Sequence, residues 1–210
     1  MEFAGIIAEY DPFHNGHARQ LRMLRAAGAH KIAVCMSHAA VQRGSFPVLP
    51  GPVRVRAALQ AGADIVVALP APYACLGAEG FAAAGVALLT ALGCDTLAFG
   101  AETPDADLLL QAAGLVAGPA LTRLLPARLA RGQTFAAARA DAADQLLPGM
   151  GDLLRRPNNI LGVEYCKAIL RQDSHMVPLP LPRLAAGHNT DETGMVEGRA
   201  IASASHLREQ

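Results

Sequence analysis

Four short apolar runs, FAGIIA (3–8), KIAVCM (31–36), DIVVALP (64–70) and DTLAFG (95–100), recur along the first half of the chain with helix-length segments between them. Each is short and bounded by turn residues, so each reads as a buried strand. Between the first two, Ala18, Leu21 and Leu24 fall at helical spacing from Gly16 to Ala27, with Gly28 placed as a C-cap. The segment 53–62 is a helix ending on Gly62, and 77–92 is an Ala-rich helix. Strand and helix thus alternate four times, with connections long enough for crossovers. That pattern predicts an α/β fold, a parallel sheet with helices on both faces.

The second half is mainly helical. After Pro104 the pattern is helical through Gln145, and PNNILGVEYCKAIL (157–170) is a further helix with Asn158 or Asn159 near its start. MVPLPLPRL (176–184) is an extended run punctuated by proline, which suits an edge strand and brings the sheet to about five strands. IASASHLRE (201–209) reads as a Ser-rich turn leading into a helical turn. There is no internal repeat. The expectation is one domain over 1–210, with a helical segment at about 104–170 and its weakest joint around Pro148–Asp152.

Apolar residues make up 52% of the chain, much of that alanine, so the core should be built from small side chains and closely packed helices. Charge is balanced at 18 basic and 18 acidic residues, which excludes a whole-molecule basic field for nucleic acid and leaves only a local patch. The four cysteines form no CxxC pair, and three sit in apolar runs; they read as buried hydrophobes in a reducing compartment. MEFAGIIAEY has no basic n-region and reads as a first strand rather than a signal peptide. The run from Leu76 to Gly93 carries Glu79 and four glycines and is not a bilayer span. These features predict a cytoplasmic protein.

AEYDPFHNGHARQ (8–20) follows the first strand, and ligands of open parallel sheets bind beyond the carboxyl ends of strands. His14 and His17 stand three apart on an opening helix and should point the same way. Gly16 lets a ligand approach the backbone, and free N–H groups with the helix dipole favour an anion. Both histidines are candidates to donate to a phosphorus centre as negative charge builds up. The competing readings are ordinary loop histidines or a metal pair; for a metal, no Cys, Asp or third His falls at ligand spacing nearby. SHAAVQRGSFPVLPGP (37–52) is a long loop with three prolines, and loops of that length are commonly functional.

HNGH resembles the HxGH signature of the nucleotidylyltransferase superfamily, and IASASHLR (201–208) resembles its second signature, ISSTxxR. GIIAEYDPFHNGH, MSHAAVQRG, RAALQAGADIVVALP, LGCDTLAFGAE, PNNILGVEYCKAI and IASASHLR, in that order, resemble the tRNA(Met) cytidine acetate ligase family over nearly the whole chain. The resemblance implies a Rossmann-like fold that binds ATP with Mg²⁺, activates acetate as acetyl-adenylate with release of pyrophosphate, and acetylates N4 of the wobble cytidine of elongator tRNA(Met). It implies ATP contacts at Ile7, Ala8, Glu9, Tyr10, His14, Gly16, His17, Gln20, Gly100, Asn158, Asn159, Arg183, Ser203 and Ser205. It makes His14, His17 and Arg208 catalytic, with Arg208 on the β- and γ-phosphates, and leaves Arg43 as a candidate grip on substrate carboxylate or phosphate.

Three departures from the family pattern stand out. Asp11 replaces the usual Asn before PFHNGH, His38–Ala40 replace GNF, and PVLPGPVR follows where an acidic residue and a lysine are usual. Family members also continue into a further helical domain that has no counterpart up to Gln210. A short nucleotidylyltransferase acting on a small molecule, and a nucleotide-binding module without catalysis, are the alternatives.

Overall fold

A computed structural model describes residues 1–183 and the backbone of two short strands, β6 (Gly194–Val196) and β7 (Arg199–Ile201), which pair antiparallel. The main sheet comprises β1 (Phe3–Ala8), β2 (Lys31–Ser37), β3 (Ile65–Leu69), β4 (Thr96–Ala101) and β5 (Val177–Pro182), in spatial order β3-β2-β1-β4-β5. Every pairing in it is parallel. The order reverses between β1 and β4, which opens a crevice at the carboxyl ends of those two strands.

Period-two alternation sorts the strand residues onto two cores. Ala4, Ile6, Ile32, Val34, Met36 and Ala98 face a layer containing α1 (Asn15–Ala26) and α2 (Gly51–Gln60). Ile7, Ala33, Cys35, Leu97 and Phe99 face the other layer, built from α4 (Ala78–Ala91), α5 (Ala106–Ala117) and α9 (Pro157–Arg171), with α7 (Phe135–Leu146) behind. Small residues let that layer sit close. A Cβ on Gly85 of α4 would stand 2.6 Å from Ile7 Cδ1, and one on Gly162 of α9 would stand 2.7 Å from Phe99 Cε2.

The predicted edge strand is an edge strand, for a legible reason. The N–H groups of Val177 and Arg183 reach β4 carbonyls or their flank, Asp95 O at 2.9 Å and Ala101 O at 3.1 Å. Odd positions therefore face β4, and Pro178, Pro180 and Pro182, which lack an N–H, fall on the free side.

The remaining expectations need adjustment. The helix expected at 53–62 starts at Gly51, because Pro50–Gly51–Pro52 is a helix start as well as a turn. The helical stretch after Pro104 is three helices, α5, α6 (Pro119–Leu129) and α7, interrupted at Gly118 and before Thr134. Two four-residue helices, α3 (Ala71–Ala74) and α8 (Met150–Leu153), are too short to leave a periodic signal. The joint expected at Pro148–Asp152 is tied by Asp144, whose Oδ1 accepts from the Gly149 and Gly151 N–H groups at 2.9 and 3.1 Å. Ile201, expected in a turn, ends β7.

All four cysteines are free thiols. Cys35, Cys94 and Cys166 are buried, and burial pushes their pKa values up to about 12, 11 and 12. Among the described residues no single helix is long and apolar enough to cross a membrane; α5 and α6 pass that test only as a pair, bent by 66°.

Candidate active site

The chain leaves β1 at Ala8 and turns sharply. Tyr10 has φ +50°, a left-handed conformation that a non-glycine residue rarely adopts. Its buried ring packs edge-on against Phe13, 4.9 Å away, and tilted against His17, 4.7 Å away. The turn thus delivers an aromatic floor beneath the start of α1.

His14 is the N-cap of α1. Its Nδ1 accepts the Gly16 N–H at 3.1 Å, and its own N–H is donated to His17 Nδ1 at 3.3 Å, a capping box made of two imidazoles. The two rings stack with centroids 3.7 Å apart and planes 20° apart. With each Nδ1 accepting, the ring proton belongs on Nε2 of each histidine. Burial, then the Arg183 charge, lowers the His14 pKa to about 4, against a smaller opposing backbone hydrogen bond. Burial, then His14 and Arg183, holds His17 well below its ordinary value. Both imidazoles are therefore neutral at pH 7, with two Nε2–H donors side by side.

One expectation changes here. The Gly16 N–H goes to His14 Nδ1 and the His17 N–H to His14 O at 2.9 Å. These two N–H groups at the helix start are not free for a ligand, and the donors on offer are side chains.

The β4 and β5 ends form the facing wall. The Arg183 stem lies across Gly100, where a Cβ would meet Arg183 Cγ at 3.0 Å. Arg183 Nη1 donates to Asn158 Oδ1, and Asn158 Nδ2 donates to Glu102 Oε1 at 2.5 Å. Glu102 also accepts the backbone N–H groups of Asn158 and Asn159, at 3.3 and 2.9 Å, and so caps α9 from another element. Burial raises the Glu102 pKa, but these hydrogen bonds outweigh it and hold the carboxyl below its ordinary value. Glu102 is absent from the residues picked out by sequence. Its signal was a carboxylate directly after a strand at the ligand edge, in LGCDTLAFGAE.

The loop 38–50 is fastened to the β1 end. Asp11, with a side chain 2% exposed, pairs with Arg43 Nη2 at 2.8 Å and accepts the Val48 N–H at 2.7 Å. Glu9 Oε1 accepts the Gln42 N–H at 2.6 Å.

The structure therefore brings together His14, Gly16, His17, Gly100, Asn158 and Arg183. Ala8, Glu9 and Tyr10 line the turn below them, and Gln20 lies one turn farther along α1. The Ile7 side chain is turned away against Gly85. Asn159 is fully buried, and its amide brackets Thr103, accepting from the backbone at 2.9 Å and donating to Oγ1 at 3.0 Å. Arg43 is engaged by Asp11. Ser203, Ser205 and Arg208 lie outside the described residues.

The chain is similar over its whole length to curated relatives about twice as long. It is 40% identical to a tRNA(Met) cytidine acetate ligase of Syntrophotalea carbinolica, covering 100% of this chain and 51% of that protein. It is 35% identical to that of Lysinibacillus sphaericus, covering 99% and 52%. The chain thus spans about half the length of the curated relatives it matches. A crystal structure of Thermotoga maritima TmcAL bound with alpha-thio ATP superposes with a TM-score of 0.88 at 28% identity, covering 100% of this chain and 50% of that one. The family model for HIGH nucleotidyl transferases matches residues 1–210, and with a parallel sheet, a crevice between β1 and β4 and the paired HNGH imidazoles at its mouth, the chain belongs to that family.

Proposed function

We propose that this chain binds ATP across the carboxyl ends of β1, β4 and β5 and activates acetate. A carboxylate oxygen attacks the α-phosphorus, the bond to the β-phosphate oxygen breaks, and pyrophosphate leaves. The acceptor is the exocyclic N4 amine of the wobble cytidine of elongator tRNA(Met); it attacks the acetyl carbon, loses a proton and releases AMP. The observation that carries this reading is the pair of neutral, stacked imidazoles whose Nδ1 atoms are both occupied by backbone N–H groups. Neutral Nε2–H donors stabilise charge that grows on the phosphoryl oxygens without binding the ground-state anion too tightly. The names of the relatives and the nucleotide in the superposed structure support it.

Within this reading Arg183 and Asn158 face the nucleotide from the β5 and α9 side, Gly100 leaves room for it, and Arg208 with Ser203 and Ser205 completes the phosphate grip. Mg²⁺ accompanies the triphosphate and is held mainly by the phosphates themselves. Buried free thiols are in keeping with a cytoplasmic setting.

A second reading, adenylylation of a small acid with no tRNA step, is favoured by Arg43 pairing with Asp11, in the loop where the sequence departs most from the family. The experiment is ATP–pyrophosphate exchange with and without acetate, followed by a tRNA(Met) gel shift at several salt concentrations. Acetate-dependent exchange is expected, and loss of about 2–4 kcal/mol of transition-state stabilisation in His14→Ala and in His17→Ala. Near-wild-type exchange in both variants would remove the assignment. Exchange without salt-sensitive tRNA binding would select the second reading.

A further inference from the structure

Arg54, on α2, is the largest fully buried side chain among the described residues, only 1% exposed. Its guanidinium directs its donors to main-chain carbonyls. Nε donates to Leu49 O at 3.0 Å, Nη1 to Glu9 O and Ser37 O at 2.7 Å each, and Nη2 to His38 O at 2.5 Å. These carbonyls belong to three separate segments: the residue after β1, the end of β2 with the residue after it, and the loop before α2. A buried cation on carbonyls is costly to place. Burial lowers its pKa, and the nearby Asp11 and Glu9 carboxylates oppose that.

The Glu9 carbonyl is the informative one. It immediately precedes Tyr10, the residue held at φ +50°, and the Tyr10 ring abuts both Phe13 and His17. A strained turn persists only where its surroundings over-determine it. Arg54 supplies that determination from the far side of β2, and the same fork holds the two ends of loop 38–50 at His38 and Leu49.

We propose that Arg54 is the positioning residue of this site: by clamping Glu9 O against Ser37 O it fixes the Tyr10 turn, and through the Tyr10 ring it aims the His17 and His14 imidazoles. Arg54 touches no substrate in this scheme. The inference rests on the phosphate-site reading of the histidines given above. Lysine cannot replace it, because one ammonium does not bridge carbonyls that the planar fork reaches from three nitrogens.

The test compares the full chain with Arg54→Ala and Arg54→Lys in acetate-dependent ATP–pyrophosphate exchange, with rates expressed per nucleotide-binding site. Both variants should lose on the order of 100-fold in kcat, the effect of misplacing a catalytic group from a distance. Their KM for ATP should stay within about twofold, because the lost contact acts in the transition state. Millimolar guanidinium should restore much of the Arg54→Ala rate and none of the Arg54→Lys rate. In parallel, ¹H–¹⁵N spectra of the imidazoles should show His14 and His17 resonances displaced in Arg54→Ala and returned by guanidinium. A purely structural arginine would lower the number of active sites and leave per-site kcat and these resonances unchanged, which overturns the proposal. If the wild-type chain shows no exchange, the reading of the site fails, and the imidazole resonances still decide whether Arg54 positions them.

Discussion

His17 accepts the backbone N–H of His14 through Nδ1 while its ring lies stacked on the His14 ring, 3.7 Å away. One short contact thus does two things. It closes the first turn of α1, and it fixes which nitrogen of His17 carries the proton. A signature of two histidines with two residues between them gains its chemistry from this capping geometry, because both Nδ1 atoms are held as acceptors and both Nε2–H groups are left to donate.

Stability should depend on these histidines below neutral pH. The folded-state pKa of His14, about 4, lies under the ordinary value near 6.5, and burial holds His17 well below that ordinary value too. Between those values the unfolded chain binds more protons than the folded one, so unfolding free energy rises with pH across that window. Acidification from pH 6.5 towards 4 should destabilise the protein, by at most about 1.4 kcal/mol per pH unit for each histidine. Urea midpoints measured at intervals over that range check this. His14→Gln and His17→Gln should each flatten the slope, and an unchanged slope in both would show that the imidazoles titrate normally. Above pH 5 the exchange rate should show no transition near 6.5 arising from this pair.

Asn158 and Asn159 are neighbours with opposite duties. Asn159→Ala should cost about 1–3 kcal/mol, because the Thr103 N–H and hydroxyl lose their buried partner. Its KM for ATP should change little. Asn158→Ala should leave the melting temperature nearly unchanged and raise the KM for ATP several-fold, since it orients Arg183 at the crevice. Thermal denaturation and steady-state exchange on the two variants separate the roles, and reversed outcomes would exchange them.

Glu164 of α9 is 1% exposed and pairs with Arg139 at 2.6 Å and Lys167 at 2.5 Å, both of them largely buried. Glu164→Ala takes the buried carboxylate from between Arg139 and Lys167, and leaves Lys167 only the half-exposed Glu79, 3.3 Å away. The expected loss is about 3–5 kcal/mol by urea denaturation, with Glu164→Gln close behind because shape survives and charge does not. Loss under about 1 kcal/mol would mean that water reaches the triad.

The parts of the fold that were legible in the sequence share a physical cause. The β1, β2, β3 and β4 runs are apolar on both faces, and only a sheet covered on both sides asks for that. Alternate prolines placed β5 on an edge. The helix start at Gly51 was hidden because Pro50 and Pro52 serve turns and helix starts equally. In the site, the histidines were legible through position and spacing, yet their tautomers were not, because these come from backbone donors. Tyr10 gave no warning of its left-handed backbone, since tyrosine is not a residue chosen for it. Glu102 and Arg54 were invisible for a different reason. Asn158 lies 56 residues from Glu102 and Glu9 lies 45 residues from Arg54 along the chain, and no local pattern records such contacts. Asn158 and Asn159 are identical in sequence terms, and burial alone divides them.

The prolines of β5 have one more effect. A sheet edge normally recruits: its unpaired N–H groups accept a strand from another chain, and uncontrolled growth begins there. On the β5 flank those donors are removed covalently at 178, 180 and 182, so no change of pH or salt can restore them. Of the two edges of this sheet, it is the β3 flank, Ile65–Leu69, that keeps backbone donors on its free side for an added strand.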